Sequence, residues 1–355
     1  MSAGTAIDEG IKAIETGIGN RTKIKVVGVG GGGSNAVDNM IAQDIRDVDF
    51  IALNTDAHAL VKSTAPLRLC VGEKLTRGLG VGGDHNLGKM AAEESRDEIT
   101  KAIQGSDMLF ITAGMGGGTG TGAAPIVAEI ARELGILTIA IVTRPFSFEG
   151  AQRTKVAEEG IALLREKVDT IAVIPNDRLL SLDDVNISIE AAFKLVDDVL
   201  RQSIQGIYEV IMTVGHINLD FNDVKTVMKG AGPAWIAIGR GSGATRAVDA
   251  AKSAIFNPIF DFSIEKAKRI LFNIRGNDLK LAEVSDAANI IKQVADPEAQ
   301  IIFGLGSDPM LDQVMKITLI AADYTEAKKK QVVHTDEVFE LAADGRRYSF
   351  FSRLK

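Results

Sequence analysis

From Lys23 onward, short apolar runs alternate with longer stretches of helical spacing. Ile24–Val29, Phe50–Leu53, Met108–Thr112, Ile136–Val142 and Thr170–Ile174 are almost continuously apolar. Such runs suit strands buried on both faces, because neither side of the pleat faces water. Between them, Ser34–Gln43, Leu87–Gln104, Ala123–Leu134 and Ala151–Lys167 show helical periodicity. Pro125 fits an early helix position and Gly135 the residue just past a helix end. The alternation predicts an α/β, Rossmann-like unit with a mostly parallel sheet covered on both faces.

A long helix is expected from Ser188 to Ile211. Ile189, Phe193, Val196, Leu200, Ile204, Ile207 and Ile211 recur at steps of three and four, and Ala192, Val199 and Val210 add apolar character elsewhere on it. A helix this apolar belongs between two packed units. After it come shorter runs, Trp235–Gly239, Ile270–Ile274, Ile301–Phe303 and Ile317–Ala321, with helical stretches at Thr245–Ile255 and Leu281–Val294. They predict a smaller α+β domain. The expected division is a loosely held arm over 1–22, a first domain over 23–187, a central connecting helix over 188–213, a second domain over 214–324 and a polar, basic tail over 325–355.

The chemistry concentrates in two glycine runs. Gly116-Gly-Gly-Thr-Gly-Thr-Gly122 joins an apolar run to a helix. Bare backbone lets N–H groups close on an anion, and the helix N-terminus adds partial positive charge. A plain linker or tight turn is the alternative. Gly28-Val-Gly-Gly-Gly-Gly-Ser-Asn35 follows the first apolar run, and its Gly28, Gly30 and Gly33 satisfy G-x-G-x-x-G. Asp49 and Asp56 are candidates for the acidic ribose partner of a dinucleotide. Two such turns in one sheet suit the phosphate chain of a mononucleotide better than a dinucleotide. Neither run carries the lysine of G-x-x-x-x-G-K-[ST], so phosphate charge falls to backbone N–H groups, helix dipoles and a magnesium ion.

Composition narrows the setting. With 46% hydrophobic and 25% charged residues, the chain is ordinary for a soluble globular protein. A formal charge of −7 without a compensating basic face argues against nucleic acid. Cys70, the sole cysteine, excludes an internal disulfide and suits a reducing compartment. Four scattered histidines give no metal motif, so no metal-ligating residues are assigned. Neither a signal peptide nor a membrane span is legible, and the expected location is cytoplasmic.

The Gly116–Gly122 run resembles the signature of the tubulin/FtsZ superfamily of GTPases. Further motifs resemble its prokaryotic cell-division branch: Gly30-Gly-Gly-Gly-Ser-Asn-Ala36, Asn54-Thr-Asp56, Thr76-Arg-Gly-Leu-Gly80, Arg144-Pro-Phe-Ser-Phe-Glu-Gly150, Ile174-Pro-Asn-Asp177 and Asn218-Leu-Asp-Phe-Asn-Asp223. They span roughly Lys23 to Asp323 in the family's order.

The resemblance implies a tubulin-type fold and a set of roles. Gly31, Gly32, Gly33, Ser34 and Asn35, with Gly118, Thr119 and Gly120, would hold the phosphates of GTP or GDP. Glu149 would bind the ribose, with Arg153 nearby. Asn176 and Asp197 would read the guanine edge, and Phe193 would stack on the base. Asn218, Asp220 and Asp223 would form a catalytic loop that completes the active site of the next subunit. That loop would orient water and help position a cation near the γ-phosphate, a monovalent cation at the loop being added to the magnesium that accompanies the phosphates. Head-to-tail contacts of this kind generate filaments. The implied function is a GTP-hydrolysing filament that marks the division site under the membrane. Membrane-tethering or regulatory division proteins would bind the tail.

Plain structural readings compete with several of these. Glu149 and Arg153 match a helix-surface ion pair, Phe193 a core aromatic, Asn176 a turn cap, and Asp220 with Asp223 a helix cap. Leu219 and Asn222 replace the family's usual valine and alanine, Pro233 and Trp235 break a smoother stretch, and the usual closing motif of the tail is absent. Two other functions are therefore carried: a GTP-binding scaffold with little hydrolysis, and a dinucleotide-dependent oxidoreductase built on Gly28–Gly33.

Overall fold

The computed structural model describes residues 22–45, 47–180, 188–212, 215–257 and 267–323. The expected tail, and the arm apart from Thr22, lie outside these residues.

Ten strands form one twisted sheet in the order β3-β2-β1-β4-β5-β6-β7-β10-β8-β9. The first six are β1 (Ile24–Val29), β2 (Val48–Asn54), β3 (Leu67–Cys70), β4 (Met108–Gly114), β5 (Leu137–Arg144) and β6 (Thr170–Pro175). All are parallel to their neighbours, and 3-2-1-4-5-6 is the doubly wound Rossmann order. Their β-branched and aliphatic runs are buried, as strands covered on both faces must be.

The helices on this half are α1 (Gly30–Ala42), α2 (Ala57–Lys62), α3 (Glu73–Thr76), α4 (His85–Glu94), α5 (Arg96–Ile103), α6 (Thr119–Glu133), α7 (Ala151–Arg165) and α8 (Asn176–Leu180). One expected helix, Leu87–Gln104, is two. It breaks at Ser95, whose backbone leaves helical geometry and whose hydroxyl accepts from the Gly72 N–H at 3.0 Å.

The expected long helix is α9 (Ile189–Met212). Val196, Val199, Leu200, Ile204, Ile207 and Val210 are buried in a core that also takes Met40 of α1, Ile141 of β5 and Ile317 from the far half. The stripe does not stay buried at its start: Ile189 is 68% and Phe193 43% exposed. Then follow α10 (Phe221–Met228), β7 (Gly232–Ser242), α11 (Arg246–Ile255), β8 (Arg269–Gly276), α12 (Leu281–Val294), β9 (Gln300–Ser307) and β10 (Val314–Ala322). Here β10 runs antiparallel to both β7 and β8, while β8 and β9 are parallel. The chain thus combines a mostly parallel α/β half with a smaller mixed half.

The departures at Pro233 and Trp235 are absorbed locally. Pro233 sits at the start of β7, where a missing N–H is tolerated. Trp235 is fully buried, and its indole N–H donates to the Ala254 carbonyl at 3.2 Å.

Candidate active site

The two glycine runs leave the C-terminal ends of β1 and β4, which are hydrogen-bonded neighbours. This is where strand order reverses, the crevice in which doubly wound sheets bind ligands. The runs are in backbone contact. Gly30 has φ +72, and a β-carbon on it would stand 2.9 Å from the Gly120 nitrogen. One on Gly33 would meet the Thr112 carbonyl oxygen at 2.4 Å, and one on Gly120 the Gly114 oxygen at 2.7 Å. These glycines are required by packing alone. Gly31 and Gly117 differ: nothing lies within 4 Å of a β-carbon on either. Their bare backbone faces open space.

The helices that follow are prepared for an anion. Neither α1 nor α6 has a side-chain N-cap or an acidic residue in its first turn. By contrast, α2, α4 and α10 are capped by Asp56, Asp84 and Asp220. Two uncapped N-termini at adjoining turns leave free N–H groups and two partial positive charges in one place. Ser34, the fifth residue of α1, is buried, and its hydroxyl has no partner. Thr119 is held by a 2.7 Å contact between its Oγ1 and that of Thr55. Asn35 is exposed beside Ser34. Gly118 packs against Val81, Gly83 and Asp84.

A neighbouring loop, Gly78–Gly83, was not assigned a role from sequence. Gly78, Gly80, Gly82 and Gly83 all have positive φ, and Gly82 and Gly83 face open space. Backbone bonds tie it to the end of β2: Ala57 N–H to the Gly78 carbonyl at 3.0 Å and Gly80 N–H to the Thr55 carbonyl at 3.1 Å. The motifs Asn54-Thr-Asp56 and Thr76–Gly80 thus form one ledge beside the cradle. Thr121, also unassigned, takes the Gly116 N–H on its hydroxyl at 2.8 Å and shapes the second turn. Its signal was present in the Gly-Thr-Gly-Thr-Gly spacing.

The dinucleotide reading loses one of its two acids. Asp49 pairs with Lys25 in the parallel register, four residues before the strand end that carries the turn, which is about 13 Å away. The Asp56 carboxylate caps α2, accepting from the His58 and Ala59 N–H groups.

The nucleoside-side candidates gather around β5, β6 and the start of α9. Glu149 lies in the turn Ser147–Glu149. Its Oε1 accepts from the Phe146 N–H at 2.9 Å, and its Oε2 lies 3.0 Å from Arg153. The structural ion pair is therefore formed. Arg153 also lies against the second glycine run: a β-carbon on Gly116 would meet its carbonyl oxygen at 2.7 Å. Ser147 hydrogen-bonds Asp177 through both its N–H and its hydroxyl. This brings the Glu149 turn beside Asn176, a buried residue whose Oδ1 has no partner. Phe193 is half-exposed and meets Phe146 edge-on at 5.4 Å, leaving ring surface open. The core reading of Phe193 does not hold.

Asp197 lies one turn beyond Phe193. Burial, and then the charge of Asp38 on α1, push its carboxyl up to about 7. Asp38 is itself engaged by Ser63 and Thr64. No hydrogen bond or ion pair to the Asp197 carboxylate is present among the described residues. A half-buried carboxyl left without donors has the chemistry to receive two N–H groups from a ligand.

Asn218, Asp220 and Asp223 are not brought to this site. They follow the other end of α9, and the fifteen residues from Asp197 to Met212 span about 22 Å. The capping reading is observed in full. Asp220 Oδ1 accepts from the Asp223 N–H, and Asp223 Oδ2 from the Asp220 N–H, both at 2.9 Å. Asn218 accepts from the Gly215 N–H. Leu219 is buried, whereas Asn222 is exposed. Among the described residues, no group of three or more His, Cys, Asp or Glu side chains could hold a metal ion, and no helix is long and apolar enough to cross a membrane.

These features define a doubly wound α/β protein with an open glycine cradle and two uncapped helix N-termini at the switch point. Residues 23–184 match the GTPase domain of the Tubulin/FtsZ family, and residues 232–325 match the FtsZ family C-terminal domain. An FtsZ from M. jannaschii, solved as an empty dimer, is 39% identical, with TM-score 0.83 over 92% of this chain and 98% of that one. A tryptophan-to-tyrosine mutant of M. jannaschii FtsZ is 41% identical, with TM-score 0.81 over 89% and 95%. CetZ2 from Haloferax volcanii, solved as a GTPgS-bound protofilament, shares the fold at 18% identity, with TM-score 0.73 over 86% and 95%. The chain belongs to the FtsZ family, within the tubulin/FtsZ superfamily of GTPases.

Proposed function

We propose that this chain binds GTP in the cradle at β1 and β4, assembles head to tail, and hydrolyses GTP where one copy meets the next. Free N–H groups around Gly31–Gly33 and Gly117–Gly120, with the Ser34 hydroxyl, receive the phosphates. The unpartnered Ser34 hydroxyl, and the space that β-carbons on Gly31 and Gly117 would fill, fit such a group. Magnesium, in this reading, is held by phosphate oxygens and water rather than by a protein cage. Glu149 and Arg153 meet the ribose, and Phe193 covers the base. Asn176 and Asp197 read the guanine edge, and a carboxylate facing the N1–H and amino group discriminates against adenine by leaving polar groups unpaired with the wrong base.

The observation that carries the proposal is separation. The cradle lies at one end of α9 and Asp220 and Asp223 at the other. Carboxylates this remote act on a γ-phosphate only if a second copy supplies them. There they orient and polarise the attacking water as the phosphoryl group departs. A contact of this kind is heterologous and does not close, so it makes filaments. Their place is the division site beneath the membrane, with tethering or regulatory proteins bound at the tail. M. jannaschii FtsZ, solved as a dimer, is the relative that supports self-association.

The test is phosphate release from GTP and magnesium across a dilution series. Turnover per chain is expected to fall steeply below a threshold protein concentration. A constant turnover per chain down to the most dilute sample refutes an active site shared between copies.

A further inference from the structure

A shallow groove on the second half is lined by Asn222, Lys225, Thr226, Lys229, Arg269 and Gln300. Three of the six are basic and none is acidic. Lys229 is exposed and has no carboxylate partner among the described residues. Lys225 lies only over the Phe221 ring, at 5.7 Å. Arg269 donates to the Lys229 carbonyl at 2.9 Å, which holds it on the rim. On a chain of net charge −7, such a basic patch is a local exception.

The chain itself passes this rim. Strand β10 ends with Ala322 paired to Arg269. The next residue, Asp323, reaches the same guanidinium at 3.5 Å, and its carbonyl accepts from the Lys268 N–H at 3.3 Å. Thirty-two residues follow Asp323. Asp336, Glu337, Glu340 and Asp344 lie among them, with no lysine or arginine between Gln331 and Gly345. Twelve residues lie between Asp323 and Asp336. A link of that length reaches at most about 45 Å fully extended, enough to return to a groove beginning at Arg269. Tethering at this length gives an effective concentration in the millimolar range, so contacts too weak to capture a free peptide suffice.

We propose that the acidic segment Asp336–Asp344 docks in this groove of its own chain, its carboxylates meeting Lys225, Lys229 and Arg269. The groove lies on α10, whose N-cap is Asp220 and whose first turn carries Asp223. A seated segment therefore covers the face that a second copy meets, and its release favours assembly. This consequence, though not the docking, rests on the assembly reading above.

Docking is tested on the full chain without nucleotide. Thr226→Cys and Ala342→Cys are introduced together in a Cys70→Ser background, and disulfide formation is followed at low protein concentration. The expected result is an intramolecular cross-link, forming at least about tenfold faster than in a control pairing Met90→Cys with Ala342→Cys, as tethered proximity requires. It slows to the control rate in 0.5 M salt, where the Debye length falls to about 4 Å, and in the neutralised chain Asp336→Asn, Glu337→Gln, Glu340→Gln, Asp344→Asn. A cross-link at the control rate, or one joining two chains, overturns the docking. The consequence is tested separately, since the neutralised chain should assemble with GTP at about three- to tenfold lower protein concentration, as removal of a tethered competitor predicts. An unchanged threshold overturns the competition with a second copy and leaves the cross-link result standing.

Discussion

Replacing Asp197 by asparagine separates a residue kept for the fold from one kept for a ligand. The Asp197 carboxyl is pushed from 3.8 up to about 7, chiefly by burial. A carboxyl whose pKa is raised by folding stabilises the protein below its unfolded pKa and loses that stability as pH rises through the folded value. At pH 7 the ionised form is therefore a liability of the nucleotide-free protein, with a ceiling of about 4 kcal/mol for a displacement of this size. Burying an amide without partners has its own cost, so the expected net gain of Asp197→Asn is about 1–2 kcal/mol, a rise of a few degrees in Tm. The gain should shrink as pH falls from 7 towards 4, where the wild-type carboxyl is protonated. GTP binding should move the other way. Two hydrogen bonds to a charged acceptor are lost, each about 1.5–3 kcal/mol, so affinity drops by about 100-fold or more. Wild-type affinity should also decline below pH 7 as Asp197 takes up its proton. Thermal denaturation across pH, paired with fluorescent GTP titration, reads both signs. A variant less stable than wild type at pH 7, or one that still prefers GTP to ATP, refutes the assignment.

Substitutions at four further residues probe other parts of the site and fold. Gly31→Ala should leave stability within about 0.5 kcal/mol, as for an open surface position, yet weaken GTP binding about tenfold, whereas Gly30→Ala, at φ +72 and facing the Gly120 nitrogen, should lose about 2 kcal/mol or more; urea denaturation and nucleotide titration distinguish them. Asp220→Ser keeps a capping oxygen and so should keep stability, while Asp220→Ala loses about 1 kcal/mol; both should lose GTP turnover by about 100-fold or more, and a Ser variant with normal turnover would confine Asp220 to its cap. Arg246→Ala should lose about 3 kcal/mol in urea, because it strips Glu283 of its cation, leaving it only the Lys280 N–H, and leaves the carbonyls of Asn277 and Asp278 without this donor. Hydrogen bonding to that guanidinium holds Glu283 down at about 2, so the pair's contribution is complete above about pH 4.5 and fades as pH falls towards 2; a midpoint difference that persists unchanged at pH 2 would count against it.

The strands and the cradle were legible because their signals are local. Near-continuous apolar runs specify buried parallel strands, and glycine between strand and helix specifies close backbone approach. Strand β3, Leu67–Cys70, was not legible. It is a short edge strand with Leu67 and Arg68 exposed, so neither a continuous apolar run nor burial marks it. Ser95 gave no warning of a helix break because its cause is a hydrogen bond to Gly72, twenty-three residues away. Phe193 kept the helical period of a core residue but lies where α9 extends past its packing partners, and periodicity carries no information about where a partner ends. The ledge at Gly78–Gly83 was visible as glycines, yet its place beside Gly118 arises from a tertiary contact.

At the level of residues, the structural and functional readings of the polar candidates looked like rivals; at the level of atoms they are compatible. Capping occupies Asp220 Oδ1 and Asp223 Oδ2 and leaves each carboxylate one oxygen without a partner among the described residues. The cap therefore orients both groups without consuming them. Glu149 is more fully engaged, one oxygen on the Phe146 N–H and the other on Arg153. A ribose hydroxyl must then share or displace the exposed arginine, an exchange worth little because surface ion pairs contribute about 0–1 kcal/mol. Ser34 Oγ and Asn176 Oδ1 have no structural duty at all, although burying them costs stability. Natural folds keep buried polar atoms paired unless something outside the chain pairs them. These two atoms lie in the second turn of α1 and just past the end of β6, flanking the crevice where the glycine turns leave open space, and in the proposed reading a nucleotide rather than a bare phosphate would satisfy both.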